Sequence, residues 1–210
     1  DKINLKNNFK LNINSVNSEI KINDKILKSF KKAIINITRF HKKQYPKNIT
    51  QNEKNINLKS RWLPIDSVGL YIPGGKAFYP SSLIMNVIPA KIAGVKRIVC
   101  VTPPSKNINP YFIALLKLLN IRETYFVGGA QAIAALAIGT EKIKPVNKIF
   151  GPGNNYVAEA KKQLFGRVGI DLIAGPSEII VVANNDNNPK WVASDLIAQA
   201  EHDPNAQSIL

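Results

Sequence analysis

Only one cysteine, Cys100, stands in the 210 residues, so no disulfide can form within the chain. It lies in the apolar run Arg97-Ile98-Val99-Cys100-Val101, where a thiol reads as a small buried hydrophobe rather than a nucleophile. Such cysteine usage fits a reducing cytoplasm. No apolar run reaches the roughly 18 to 20 residues that a membrane helix needs, because charged residues, Asn, Pro or Gly interrupt every candidate. No spanning segment and no signal peptide is expected. Histidine is scarce, with only His41 and His202. No glycine turn spells G-x-G-x-x-G, and a Walker-type lysine is missing, so two standard nucleotide fingerprints are excluded.

Acidic residues are also few: 14 Asp and Glu face 29 Lys and Arg, a formal net charge of +15. A surplus of this size usually suggests nucleic acid. Its distribution argues otherwise. Residues 1–60 hold 14 basic and 4 acidic side chains, and the remaining residues hold 15 and 10. The leading segment is crowded with Asn, Ile and Lys and has none of the arginine-aromatic interleaving that stacks on bases. The reading favoured is a lysine-rich compositional drift on a solvated surface, with no nucleic-acid partner.

What the chain does contain is enough apolar material, 45% of residues, for a core in one large or two smaller domains. Ile26, Leu27, Phe30, Ala33, Ile34, Ile37 and Phe40 recur on one face and predict a helix from about Asp24 to Gln44, capped by Asn23 or Asp24. His41 near its end suits the negative pole of the helix dipole better than a ligand role. From Tyr45 to Ser60 the polar, breaker-rich composition reads as a loop or linker, with a boundary near residue 60.

Beyond that point short β-branched runs alternate with helix-length stretches. Strands are expected near Val68–Ile72, Arg97–Val101, Thr124–Val127, Asn147–Phe150 and Glu178–Ala183. Helices are expected at about Ser82–Ala93, Pro110–Asn120, Ala130–Ile138, Asn154–Phe165 and Pro189–Glu201. This βαβ series predicts an α/β fold, a parallel sheet with helices on both faces. Pro89 should kink or shorten its helix.

Four glycine-bearing turns punctuate the series: Ile72-Pro73-Gly74-Gly75, Val127-Gly128-Gly129-Ala130, Phe150-Gly151-Pro152-Gly153-Asn154 and Ala174-Gly175-Pro176-Ser177. At least three open a helix, where unpaired N–H groups and the helix dipole favour an anion such as a pyrophosphate or carboxylate. Singly, each is an ordinary strand-to-helix turn. Together, at the carboxyl ends of parallel strands, they suggest a nucleotide-like ligand. At the end of the last helix, Gln199 and His202 lie three apart on one face and could converge on a cation. On spacing alone a capping or solvated histidine is the stronger reading.

The order of these segments carries a resemblance. Val68-Gly69-Leu70-Tyr71-Ile72-Pro73-Gly74-Gly75, Tyr79-Pro80-Ser81-Ser82 and Gly128-Gly129-Ala130-Gln131-Ala132-Ile133-Ala134-Ala135-Leu136 resemble the histidinol dehydrogenase family. So do Gly151-Pro152-Gly153-Asn154, Ala174-Gly175-Pro176-Ser177-Glu178 and Gln199-Ala200-Glu201-His202. The resemblance covers residues 61–210 almost without a break, and residues 1–60 match loosely as a helical lead-in.

That resemblance implies a zinc-containing, NAD-dependent homodimer of histidine biosynthesis that oxidises L-histidinol through L-histidinal to L-histidine. By position in the matching segments, Tyr71, Gln131 and Asn154 would contact NAD, and Ser177 would touch the substrate. Gln199 and His202 would be both zinc ligands and substrate contacts. The implied fold is like that of aldehyde dehydrogenases, with a nested α/β domain at residues 70–177. Residues 61–69 and 178–210 would belong to an incomplete first α/β domain, behind a lead-in and linker at 1–60. The family's Glu-His pair and two further zinc ligands would lie beyond Leu210, so no catalytic residue of that kind is expected within the chain. Both ends read as cut, the first residue being Asp1 and the last four the strand-like Gln207-Ser208-Ile209-Leu210. The expectation is a fragment, inactive alone. The alternatives are a non-catalytic nucleotide-binding remnant of the fold and, from another class, a basic nucleic-acid-binding module.

Overall fold

The computed structural model describes residues 9–11, 22–74, 79–105, 108–173, 178–201 and 206–210. The chain forms two compact units, residues 1–173 and residues 174–210.

In the first unit, a lead-in helix α1 (Asp24–Lys42) and a hairpin of β1 (Ile49–Glu53) and β2 (Ile56–Ser60) precede a βαβ series. The series runs β3 (Ser67–Tyr71), α2 (Pro80–Ile92), β4 (Arg97–Thr102), α3 (Pro110–Leu118) and β5 (Glu123–Phe126). It continues with α4 (Gly129–Ile138), β6 (Lys148–Phe150), α5 (Asn155–Leu164) and β7 (Gly169–Ile170). Strands β3 to β7 make a five-stranded parallel sheet in the order β5-β4-β3-β6-β7. Val68 on the central strand pairs with Ile98 on one side and Lys148 on the other.

A sheet covered on both faces needs apolar residues at odd and even positions alike, and β3 and β4 supply them. Val68, Leu70, Ile72 and Cys100 pack with Leu83 and Val87 of α2 and Leu115 and Leu116 of α3. Tyr71, Val99, Val101 and Tyr125 pack on the opposite face with Ile133 and Leu136 of α4. Gly69 is small for a steric reason: a Cβ there would lie 2.7 Å from Leu136 Cδ1. The Cys100 thiol is fully buried, which pushes its pKa up to about 12 and keeps it a neutral hydrophobe, as expected from its apolar run. The free edge of β5 is covered by residues 9–11, through Phe126 N–H to Phe9 O at 2.7 Å and Leu11 N–H to Thr124 O at 2.9 Å.

Helix α1 starts on Asn23, whose Oδ1 accepts the Lys25 N–H at 2.9 Å, and lays Phe30, Ala33, Ile34 and Ile37 against the first core. Two local expectations change. Residues 49–60, read as a loop or linker, form an antiparallel hairpin turned at Lys54-Asn55, with Asn55 at φ 69°. Asparagine tolerates that left-handed conformation. All ten strand positions are exposed, so no burial stripe marks the hairpin in the sequence. Helix α2 is not shortened at Pro89 but runs on to Ile92. The carbonyl that Pro89 deprives of a partner belongs to Met85 on an exposed face, where water can take its place.

The second unit is a single βαβ element: β8 (Glu178–Ile180), α6 (Pro189–Ala200) and β9 (Gln207–Ile209), with β8 and β9 parallel. Asn188 caps α6 by accepting the Lys190 N–H at 3.0 Å, and Pro189 takes the first helical position. The Ser208 hydroxyl donates to Leu196 O at 2.9 Å, tying helix to strand.

Candidate functional site

The chain leaves β3 toward β4 and β5 on one side of the sheet, then returns to β6 on the other. The order of strands therefore reverses between β3 and β6, and in an open parallel sheet the crevice at the carboxyl ends of such a pair is where ligands bind. Tyr71 closes β3 at this reversal, and Phe150 closes β6, leading directly into Gly151-Pro152-Gly153-Asn154. The two strand ends touch. Gly151 adopts φ +113°, and a Cβ on it would come within 2.0 Å of the Tyr71 carbonyl oxygen.

Three of the residues singled out in the sequence meet this edge. Tyr71 is 3% exposed, with its ring in the second core, and its hydroxyl accepts the Gly129 N–H at 3.1 Å. Gly129 is the first residue of α4, so one unpaired donor of that helix is taken by the phenol while the phenolic proton is left to donate. Gln131 is exposed on the first turn of α4. Its amide folds back over the backbone: a Cβ on Gly129 would lie 2.9 Å from Gln131 Oε1. Asn154 is exposed and is the N-cap of α5; its Oδ1 accepts the Val157 N–H at 3.2 Å, leaving the amide NH₂ to donate outward. Tyr71 and Gln131 thus share the N-terminus of α4, and Asn154 holds that of α5.

Behind this edge lies a pair that composition and motif order did not single out. Lys161, on α5, is 4% exposed, and its Nζ donates to Gly151 O at 2.5 Å and to Asp171 Oδ1 at 2.8 Å. Asp171, just past β7, accepts the Gly151 N–H on Oδ2 at 2.8 Å and the Leu172 N–H on Oδ1 at 2.8 Å. The signal was present in α5. Val157, Lys161 and Leu164 fall on one helical face, and a lysine in that stripe needs a buried acceptor. A separate hollow of about 650 Å³ lies by the starts of β3 and β6, lined by Tyr45, Trp62, Leu63, Met85 and Pro89, and contains none of these groups.

In the second unit, Gln199 sits in the last turn of α6. Its Nε2 is buried and has no hydrogen-bond partner among the described residues. Ser177 and His202, the other expected substrate or zinc contacts, lie outside the described residues. Among the described residues no three His, Cys, Asp or Glu side chains converge as a metal cluster, and no helix is long and apolar enough to cross a membrane.

The family model for histidinol dehydrogenase matches residues 1–210. The chain belongs to the histidinol dehydrogenase family. It is 57% identical over 187 residues to the histidinol dehydrogenase of Rhizobium meliloti, covering 88% of this chain and 43% of that one. It is 54% identical over 192 residues to histidinol dehydrogenase 1 of Nostoc sp., covering 90% of this chain and 44% of that one. The fold superposes on the crystal structure of histidinol dehydrogenase from Elizabethkingia anophelis with a TM-score of 0.84 at 41% identity, over 89% of this chain and 44% of that one. The chain therefore spans less than half the length of the histidinol dehydrogenases it matches. The α/β fold with its parallel sheet, expected from the residue pattern, is the fold of this family.

A dinucleotide is compatible with the geometry at the β3–β6 reversal. Two helix N-termini meet the edge, the close approach of Gly151 to the Tyr71 carbonyl sets the two strand ends side by side, and Tyr71 and Asn154 each keep a donor beyond their internal bonds. For a cation, the buried and unpartnered end of the Gln199 amide is compatible with a polar ligand. Exchanging the amide's nitrogen and oxygen by a half-turn would present an acceptor there.

Proposed function

We propose that this chain forms the cofactor-binding part of an NAD-dependent, zinc-containing histidinol dehydrogenase, which oxidises L-histidinol through L-histidinal to L-histidine in histidine biosynthesis. The observation that carries the reading is the meeting of Tyr71, Gln131 and Asn154 at the carboxyl edge around the strand-order reversal, in a chain of this family.

NAD⁺, when bound, supplies the acceptor for one hydride in each of the two oxidations. The protein's part is placement. The Tyr71 phenol, held by the Gly129 N–H, would have its own proton free to donate to the cofactor, and the N-termini of α4 and α5 would offer it their positive poles. Gln131 and Asn154 add amide donors from those same helices. In the second unit, Ser177, Gln199 and His202 would hold the substrate, with Gln199 and His202 also ligating zinc, which would polarise and orient the imidazole and amino group of histidinol. Catalytic zinc usually keeps about three protein ligands, and the chain offers these two. With His202 following Glu201 but assigned to zinc, and His41 lying in α1, the resemblance implies a separate catalytic Glu-His pair outside residues 1–210. Turnover then needs groups from a longer, cytoplasmic and homodimeric protein.

The experiment compares Asn154→Ala with wild type in the full-length protein. Asn154→Ala should raise KM for NAD⁺ more than KM for histidinol, and the 210-residue chain supplied with zinc, NAD⁺ and histidinol should produce no NADH. Equal rises in both KM values, in a protein that still folds, would make Asn154 only a helix cap. Turnover by the short chain at the rate of the longer one would sink the ligand assignment.

A further inference from the structure

The Lys161–Asp171 pair, its lysine buried and its aspartate partly so, lies outside every residue assigned so far, yet Gly151 hangs on it from both its N–H and its carbonyl. Lys161 Nζ takes the Gly151 carbonyl, Asp171 Oδ2 takes the Gly151 N–H, and the two side chains join each other at 2.8 Å. Gly151 is in turn pressed against the Tyr71 carbonyl, so its position fixes where β3 ends relative to the turn. Three residues later the same turn becomes Asn154, the cap of α5, and α5 carries Lys161. The connections form a closed loop: helix, lysine, glycine turn, cap, helix. Asp171 anchors that loop to the sheet through its own N–H, which donates to Ile149 O at 3.1 Å.

An ion pair with a buried lysine is weak evidence of stabilisation, because the desolvation cost, largest here for Lys161, offsets much of the attraction. What it provides here is direction, since two charged groups hold a peptide from its N–H and C=O sides at once. We infer that Lys161 and Asp171 are a positioning pair for the cofactor site, holding the Gly151-Pro152-Gly153-Asn154 turn where Asn154 and the N–H groups of α5 meet the dinucleotide. The inference rests on the cofactor reading above and adds to it two residues that do not touch the ligand.

The test uses the full-length protein and three forms: wild type, Asp171→Asn, and the double variant Lys161→Met with Asp171→Asn. The double variant removes both charges together and leaves neither buried alone. For each form, NAD⁺ dissociation constants, KM for NAD⁺, KM for histidinol and the melting temperature are measured. A turn that no longer presents Asn154 loses about one hydrogen bond to the cofactor and predicts roughly 10-fold weaker NAD⁺ binding, with KM for histidinol within about twofold of wild type. NAD⁺ affinity unchanged in a folded double variant overturns the inference. So do parallel rises in both KM values, or failure of both variants to fold, since either result makes the pair a purely structural tie. Absence of NAD⁺ binding by wild type is a different failure, and removes the cofactor reading itself.

Discussion

Gly151 carries more constraint than any other described residue of the glycine turns. Its φ of +113° is one that residues with side chains rarely adopt, and a Cβ would sit 2.0 Å from the backbone oxygen of Tyr71, an atom that cannot swing aside. Gly166 separates the two effects. It has φ +93°, but a Cβ added there would meet nothing within 4 Å, so Gly166→Ala should cost only the conformational penalty of about 1–2 kcal/mol. Gly151→Ala adds overpacking to that penalty and should cost at least about 3 kcal/mol, roughly 6 °C or more in Tm. Thermal melts of the two variants side by side check this, and equal losses would show that the close approach to Tyr71 is relieved at little cost.

Neighbouring strands are tied at their starts by side chains as well as by the ladder. Arg97 of β4 forms two hydrogen bonds to Glu123 of β5, at 2.9 and 2.8 Å, and donates to the Pro145 and Lys144 carbonyls at 2.9 and 3.0 Å. Partial burial pushes the Glu123 pKa up, but the bonds from Arg97 and the Tyr125 hydroxyl, with the charges of Arg97 and Lys10, outweigh it and leave the carboxyl below its ordinary value of 4.5. A depressed carboxylate stabilises the fold above its unfolded pKa and loses that contribution as pH falls through the folded one. Glu123→Gln should therefore lower Tm by roughly 2–4 °C at neutral pH, about 1 kcal/mol for a partly exposed pair. The gap should close as pH drops below 4.5. Melting curves between neutral and acid pH test this; a gap that persists unchanged in acid would mean the loss is steric. One helix start was legible for a related reason, since Asn23 is a cap expected from the sequence and accepts an N–H there; Asn109, Asn154 and Asn188 do the same at their helices and were found only in the structure. The β1–β2 hairpin was not legible, because its strands bury nothing and leave no alternation to read.

At the scale of the whole molecule the net charge of +15 is the property most open to misreading. The excess is concentrated in residues 1–60, where α1 has its apolar face on the core and its lysines in solvent. Charges spread over a solvated surface are screened beyond about 8 Å at physiological ionic strength. Gel-shift titrations at that salt should show no discrete complex with duplex or single-stranded nucleic acid. A tight, sequence-selective band would reverse the conclusion, since phosphate contact alone gives weak and steeply salt-dependent binding.

From the sequence by itself came the alternation of strands and helices, the cap at Asn23 and the family, because periodicity, cap chemistry and ordered short segments are properties of neighbours along the chain. The strand order was not among them. Whether the chain returns past β3 to place β6 beside it depends on packing between residues 80 positions apart, as in the bonds of Ser67 to Asn147 at 2.7 and 2.9 Å. Only the folded sheet brought separate glycine segments to one edge with a reversal in it, and only the folded turn showed Lys161 and Asp171 gripping one glycine from both sides. A buried charge declares its purpose when its partners arrive, and here they come from segments that the linear order keeps apart.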